Sequence, residues 1–172
     1  MTAVDTLTGL PLRDSFLRRV SEYLDDAREH GQPLSLLGLN VDYLAHYNYA
    51  YNPIAGDAAL GAVATILRSI MHIDDLLCRS GGDEFLVLLS ATPLPEALSI
   101  AERIRQAAVA VALVEPQPYA PRRCLTLSIG VATFPDDGSG IAALLETIAS
   151  GIAQAKRNGR DATVHIQASR FP

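Results

Sequence analysis

Two short groups of polar residues in this sequence have types and spacing suited to handling a phosphate substrate. Asn40 and Asp42 lie at the end of an apolar run, and Asp83 and Glu84 follow two consecutive glycines. Carboxylate and amide oxygens are the ligands that hard divalent cations prefer. Such cations can align a hydroxyl and a phosphate for in-line displacement. The alternative is that Asp83 only stabilises a turn and that Glu84 is a solvated edge residue. The residues alone favour this alternative, because Asp is common in turns.

The segments that would position these residues alternate between helical and strand patterns. Pro11 to about His30 and Ile54 to Met71 carry apolar side chains at helical spacing. Residues 34–41 predict a buried strand, and residues 42–53 indicate an irregular turn or a short helix. We then predict, in order, strands at 75–79 and 84–90, a helix from Pro95 to Val114, a proline-rich loop from Glu115 to Pro121, a strand at 123–134, a helix at 140–157 and a strand at 162–167. The Gly-Gly pair predicts a hairpin between the second and third strands, with positive φ in its turn.

This order of elements is that of the βαββαβ ferredoxin-like fold. We therefore expect an α+β domain with a cyclase- or palm-like sheet and flanking helices, plus an N-terminal helix and a C-terminal helix and strand. In this topology the first strand lies beside the third and antiparallel to it. Asn40, Asp42, Asp83 and Glu84 should consequently converge at one edge of the sheet.

Composition limits the class of protein to which this chain can belong. Its 172 residues are 49% hydrophobic and 19% charged, which predicts one folded domain over residues 1–172 and excludes disorder. The net charge of −5 argues against a nucleic-acid-binding face. We expect no membrane-spanning segment and no secretory signal. Cys78 and Cys124 both lie in apolar runs, so we expect buried, reduced thiols in a cytoplasmic protein.

Six motifs extend the interpretation beyond single residues. The sequence contains Asp5-Thr6-Leu7-Thr8-Gly9-Leu10-Pro11, Asn48 with Gly56-Asp57, Arg79-Ser80, Gly81-Gly82-Asp83-Glu84-Phe85, Ser128-Ile129-Gly130-Val131-Ala132 and Ala155-Lys156-Arg157-Asn158-Gly159-Arg160. In this order they resemble the motifs of the GGDEF family, the diguanylate cyclases that join two GTP molecules into cyclic di-GMP. Five letters alone are a weak signal, but six motifs in family order are strong. The resemblance covers nearly the whole chain, with residues 1–10 leading into the domain.

The resemblance implies roles for the residues of the signature. Asp83 corresponds to a metal-binding carboxylate that also handles the proton of the attacking hydroxyl. Glu84 belongs to the same acidic, catalytic edge. Gly81 and Gly82 would let the turn backbone approach the phosphates, which a Cβ would obstruct.

The resemblance also implies which residues hold the substrate. Asn48 and Asp57 match positions that read guanine, since an amide and a carboxylate complement the hydrogen-bonding edge of that base. Lys156 and Arg160 match positions that contact phosphates. Without the resemblance, Asn48 is an ordinary turn residue, Asp57 a helix N-terminal residue, and the two cations complement a helix dipole.

Several positions depart from the family pattern. The family's first strand usually ends in Asp-Ile-Asp, with metal bound by the first Asp and the next backbone carbonyl. Here those positions are Asn40 and Val41, and Asn lacks the negative charge. A Lys that stabilises the transition state aligns with Ala45. Further departures are Asn52-Pro53 in place of Gly-His, His72 with Asp75 in place of the RxxD motif of product inhibition, and Ala149 and Ala153 in place of Asp and Tyr.

Two functions of different classes follow from the resemblance. The first is a diguanylate cyclase that uses Mg²⁺ or Mn²⁺ and works as a transient homodimer, because one site holds one GTP; Asn40 and Ala45 would impair it. The second is a catalytically weak or inactive domain that binds GTP and regulates an attached sensor or EAL phosphodiesterase domain. Under either function the chain would be one domain of a longer protein, and we expect no nucleic-acid partner.

Overall fold

A computed structural model describes residues 3–111 and 124–167 of the chain. The predicted proline-rich loop from Glu115 to Pro121 and the end of the chain lie outside the described residues. The helices and strands, in chain order, are α1 (Arg13–His30), β1 (Leu34–Val41), α2 (Leu44–Ala50), α3 (Pro53–Ile70), β2 (Leu76–Arg79), β3 (Glu84–Leu89), α4 (Leu94–Val109), β4 (Leu127–Phe134), α5 (Ile141–Arg157) and β5 (Ala162–His165).

The strands form one five-stranded sheet in the order β2-β3-β1-β4-β5. β1 pairs antiparallel with both β3 and β4, whereas β5 runs parallel to β4. The expected α+β, ferredoxin-like core is therefore confirmed, including the antiparallel contact between the first and third strands. The C-terminal strand adds to the edge beside β4.

Helices cover both faces of the sheet, which explains why β1 and β4 are buried along their whole length. Alternate residues of β1 enter two separate cores, with Leu37 and Leu39 under α3 and α4, and Leu34 and Leu36 under α1 and α5. A strand with two buried faces needs apolar side chains at nearly every position. The mostly apolar run 34–41 therefore predicted its strand with the observed bounds.

Glycines bring α5 very close to the centre of the sheet. A Cβ at Gly38 would overlap the Ile148 side chain, and one at Gly130 would overlap the Ile148 carbonyl oxygen. On α5 itself, a Cβ at Gly151 would lie 2.8 Å from the Val164 carbonyl oxygen. The helix can lie this close only because these positions lack side chains.

Of the two alternatives for residues 42–53, the short helix is present as α2, and Asn52 begins α3 by accepting a hydrogen bond from the Ala55 N–H at 2.9 Å. Three details differ from the sequence-based expectations. α4 ends at Val109, short of the predicted Val114. The strand expected at 123–134 begins only at Leu127. Cys78 is buried as expected, but Cys124 is exposed. Cys124 precedes β4 and lies in the part of its apolar run that does not enter the core.

One helix among the described residues, α3, is long and apolar enough to cross a bilayer by length and composition. Its apolar face includes Leu60, Val63 and Leu67, which are buried in the core between the sheet and its covering helices. A core helix of a soluble domain passes the same test. A single helix of this kind is weak evidence for a membrane span.

Candidate functional site

The end of β1 lies directly against the turn between β2 and β3. The Val41 N–H donates to the Asp83 carbonyl oxygen at 2.9 Å, and Asn40 is in register with Glu84 on β3. On its other side, Asn40 is in register with Ser128 of β4. The expected convergence of these two distant segments is therefore present in the backbone.

The turn itself is a four-residue connection from Ser80 to Asp83. The backbone N–H groups of Ser80 and Gly81 both donate to the Glu84 carbonyl oxygen, at 2.9 and 3.3 Å. Neither Gly81 nor Gly82 has positive φ, so the prediction of a left-handed turn was wrong. A four-residue connection reverses the chain without the positive φ that a two-residue turn needs. A Cβ at Gly82 would meet open space, which leaves the backbone accessible to a ligand.

Arg79 holds this turn from the side of the N-terminal segment. Its guanidinium donates to the carbonyl oxygens of Gly81 and Gly82 at 3.2 and 2.7 Å. It also donates to both carboxylate oxygens of Asp5 at 3.1 Å. Asp5 in turn accepts from the N–H and hydroxyl of Thr8. The sequence contained both motifs, but nothing in their spacing indicated that they meet.

The charge of Asp5 is favoured by these contacts. Burial of the carboxyl works toward a higher pKa, but hydrogen bonds from Thr8 and Arg79 outweigh it, so the pKa of Asp5 is lowered from its ordinary value of 3.8. The ion pair with Arg79 is largely shielded, with 18% of the Asp5 side chain exposed. An ionised Asp5 therefore stabilises the arginine that supports the turn.

Asp42 lies at the same end of the sheet, but its carboxylate does not join the acidic edge. It accepts hydrogen bonds from the hydroxyls of Ser128 and Thr126 at 2.7 and 3.0 Å. It also accepts from the Asp161 N–H at 3.1 Å. Asp42 therefore lies at the expected end of the sheet, but donors just before β4, on β4 and after α5 hold its carboxylate.

The oxygen atoms that remain at this edge of the sheet determine how a cation could bind there. Within residues 3–111 and 124–167, no three His, Cys, Asp or Glu side chains could hold a metal ion together. A cation here would draw on the Asp83 carboxylate, the amide oxygen of Asn40 and the carbonyl of Val41, with phosphate oxygens of a nucleotide completing the set. These are all oxygen ligands, which fits Mg²⁺ or Mn²⁺.

Asn48 and Asp57 are brought near each other by α2 and the N-terminal part of α3. A Cβ on Gly56 would overlap the Oδ1 atom of Asn48, so the glycine next to Asp57 is what admits this side chain. In the described part of the chain, Asn48 Oδ1 is buried without a hydrogen-bond partner. A buried polar atom without a partner is costly, and it marks a position where a ligand could supply the missing donor. The side chain of Asp57 is exposed beside it.

The end of α5 brings two cations toward the same region. Lys156 lies half-buried in the last turn of α5, and Arg160 follows the helix with φ of +67°. The guanidinium of Arg160 stacks over the ring of Tyr43, 4.5 Å from its centroid. Because Tyr43 directly precedes α2, this contact links the end of α5 to the turn after β1.

The region that corresponds to RxxD has a structural role in this chain. The Asp75 carboxylate accepts from the backbone N–H groups of His72 and Ser90, at 2.8 and 3.1 Å. The His72 ring is exposed and lies 3.4 Å from Asp74. Asp75 therefore closes the turn between α3 and β2, and the arginine of the inhibition motif is absent from it.

The fold and the site define a three-layer α+β domain, with helices on both faces of the sheet, whose signature turn lies against the end of its first strand. The family model described as "Diguanylate cyclase, GGDEF domain" matches residues 2–162. This chain belongs to the GGDEF domain family. The domain shares its palm-like fold with the GGDEF domains of known structure.

Characterised relatives support this assignment. Diguanylate cyclase A of Treponema denticola is 31% identical over 94% of this chain and 43% of that protein. The response regulator PleD of Caulobacter vibrioides is 35% identical over 95% of this chain and 36% of that protein. The cyclic di-GMP phosphodiesterase NbdA of Pseudomonas aeruginosa is 31% identical over 94% of this chain and 20% of that protein. The chain thus spans less than half the length of these relatives.

A solved structure gives the same result. The GGDEF domain of TpbB from Pseudomonas aeruginosa superposes with a TM-score of 0.84 and 33% identity, over 94% of this chain and 93% of that one. The diguanylate cyclase SiaD, solved with its activator SiaC, gives a TM-score of 0.83 and 31% identity over 94% of this chain and 60% of that one. Both likenesses agree with the assignment of this chain to the GGDEF domain family.

Proposed function

We propose that this chain is a GTP-binding diguanylate cyclase domain, which condenses two GTP molecules into cyclic di-GMP and is slowed by Asn40 and Ala45. The observation that carries the proposal is the hydrogen bond from the Val41 N–H to the Asp83 carbonyl. This hydrogen bond holds the complete signature turn against the end of β1, so that both segments would contact the same substrate molecule. Relatives named as diguanylate cyclases add support.

The reaction needs two copies of the domain, each with one GTP. The 3′-hydroxyl of one GTP attacks the α-phosphate of the other, a phosphodiester bond forms, and pyrophosphate leaves; the reciprocal attack closes the ring. Asp83 would accept the hydroxyl proton as the oxygen–phosphorus bond forms, and Glu84 adjoins it on the same edge. A bound divalent cation would neutralise charge on the phosphates. Asp83, the Asn40 amide and the Val41 carbonyl would hold it.

The remaining residues would bind and orient the nucleotide. Asn48 and Asp57 together offer an amide and a carboxylate to the guanine edge, and the partnerless Asn48 oxygen supports this role. Lys156 and Arg160 would contact the phosphates. The backbone at Gly81 and Gly82 would come close to them, since a Cβ would hinder that approach.

A second function is favoured by the residues at the sheet edge beside the signature turn, which offer little negative charge to a cation. Asn40 offers no charge, and the Asp42 carboxylate is already held by Ser128, Thr126 and Asp161. The second proposal is therefore a domain that binds GTP with little turnover and regulates an attached sensor or EAL phosphodiesterase domain. Homology to the phosphodiesterase NbdA is consistent with this role. Both functions would place the protein in the cytoplasm.

One assay separates the two functions. Purified protein is incubated with GTP and either Mg²⁺ or Mn²⁺, and the nucleotides are resolved by chromatography. Cyclic di-GMP that disappears in Asp83→Ala supports the cyclase. GTP binding without product supports the regulatory domain. Equal affinity for GTP and ATP, or no binding of either, would overturn both proposals.

A further inference from the structure

A pocket of about 390 Å³ lies between α5 and the sheet at β1 and β3. Its floor is apolar and consists of side chains from β3 and α5, namely Leu86, Leu145, Ile148 and Ile152. Pockets of roughly 300–1,000 Å³ with apolar walls and a few polar groups are typical of small-molecule sites. Nothing in the proposed handling of GTP uses this floor.

The pocket results from short side chains on a helix that is otherwise tightly packed. Gly38 and Gly130 allow the backbone of α5 to touch the sheet at Ile148, which fixes the distance between them. Toward β3, however, α5 presents Ala149 and Ala153 to the pocket. Both stand where the family pattern has larger, polar side chains. Because the glycine contacts hold α5 in place, the helix cannot tilt inward to fill this space.

The mouth of the pocket carries two cations and one carboxylate. Arg13 enters from the start of α1, Lys156 from the last turn of α5, and Glu84 from the start of β3. In the described part of the chain, none of these three side chains forms an ion pair or a hydrogen bond. Two half-buried cations with no bound acceptor favour an anionic group at this position.

We propose that this pocket binds a small amphipathic anion: a ring system that lies on the apolar floor and carries a phosphate, carboxylate or sulfonate between Arg13 and Lys156. The floor contributes affinity through burial of apolar surface. The Arg13 and Lys156 side chains orient the ligand by contacting its anionic group. This binding needs neither Asn48 nor Asp57 and is therefore independent of guanine recognition. It would compete with the phosphates of GTP for Lys156, and this competition rests on the role of Lys156 in the proposed function.

The test uses 1-naphthyl phosphate as the probe, with the protein free of GTP. We expect saturable binding that shifts the methyl NMR signals of Ile148 and Ile152. Ala153→Phe fills the pocket and should weaken binding at least tenfold. Ala142→Phe adds the same ring to an exposed position of α5 outside the pocket and should have no effect. Ala149→Leu narrows the mouth and serves if Ala153→Phe does not fold.

A second set of measurements tests the charge and separates this binding from guanine recognition. Lys156→Gln should weaken 1-naphthyl phosphate about tenfold but leave neutral 1-naphthol unchanged. Asp57→Ala should leave the binding of 1-naphthyl phosphate unchanged even if it abolishes GTP binding. Absence of saturable binding, or binding unaffected by both folded pocket variants, would overturn the proposal. Equal loss of phosphate and naphthol in Lys156→Gln would overturn the role of the anion.

Discussion

At the scale of single residues, Asn40 decides how much charge the edge can offer a cation. It is buried between Glu84 and Ser128 in register, so a carboxylate there would face Glu84 across the β1–β3 pair. Asn40→Asp should lower the melting temperature without metal, because like charges repel. It should also lower the Mg²⁺ concentration needed for GTP binding. Thermal melts at graded Mg²⁺, with and without GTP, measure both effects.

Addition of the missing cation extends this prediction to turnover. Asn40→Asp with Ala45→Lys should raise cyclic di-GMP formation about a hundredfold, since such electrostatic contacts are typically worth about 3 kcal/mol. The unmutated domain should work better with Mn²⁺ than with Mg²⁺, because Mn²⁺ accepts neutral ligands more readily. A double variant that dimerises and folds but is no faster would contradict the roles of these two positions.

Asp57 should control which base is bound. Asp57 is exposed in the protein alone, and a bound guanine would bury its hydrogen bonds. Removal of one partner from a buried hydrogen bond typically costs about 1–3 kcal/mol, so Asp57→Ala should weaken GTP binding by roughly tenfold to a hundredfold. ATP binding should change little. Calorimetric titration with each nucleotide measures the difference between the two affinities. Asp136→Ala, which removes a carboxylate that follows β4, serves as the control. If GTP and ATP affinities fall equally, Asp57 does not read guanine.

The two thiols should differ strongly in reactivity. Burial raises the pKa of Cys78 to about 12, whereas Cys124 is exposed. Because the thiolate is the reactive form, a disulfide reagent should label Cys124 quickly in the folded protein. It should label Cys78 only when the protein unfolds. Cys124→Ser should remove the fast phase. A fast phase that persists in this variant would place Cys78 at the surface.

At the scale of elements, the N-terminal segment and the β2–β3 turn are joined by Asp5 and Arg79. Asp5→Asn should cost about 1–3 kcal/mol of the free energy of unfolding, since it removes charged hydrogen bonds that are mostly shielded from water. Its lowered folded-state pKa means that this stabilisation is present above pH 3.8 and is lost as the pH falls below that value. The difference between wild type and variant should therefore shrink in acid.

Denaturant titrations from neutral pH down to acid pH measure this dependence. Glu29→Gln is a suitable control, because Glu29 is exposed on α1 and makes no side-chain ion pair or hydrogen bond within the described residues. It should show no comparable change. A difference between wild type and Asp5→Asn that grows in acid would contradict the assigned sign.

At the scale of the whole molecule, the sequence predicted the order of elements, the pairing of β1 with β3 and the meeting of β1 with the signature turn. The elements follow from local signals, since two-sided burial makes β1 and β4 mostly apolar and turn residues separate β2 from β3; the pairing follows from the topology that this order of elements defines. The Asp5–Arg79 pair could not be predicted, since 74 residues separate its members and neither lies in a periodic pattern. The direction of the Asp42 carboxylate was missed for the same reason, because its donors lie just before β4, on β4 and in the segment after α5.

The three hydrogen bonds of Asp42 also bear on when the site forms during folding. They join residues separated by 84, 86 and 119 positions, so the chain must close long loops before any of them exists. Contacts of such long range generally form late and slow the search for the native topology. The Asp161 amide should thus exchange its proton only through opening of the β1–β4 core. Asp42→Asn should accelerate that exchange while the amides at the centre of α1 keep their protection.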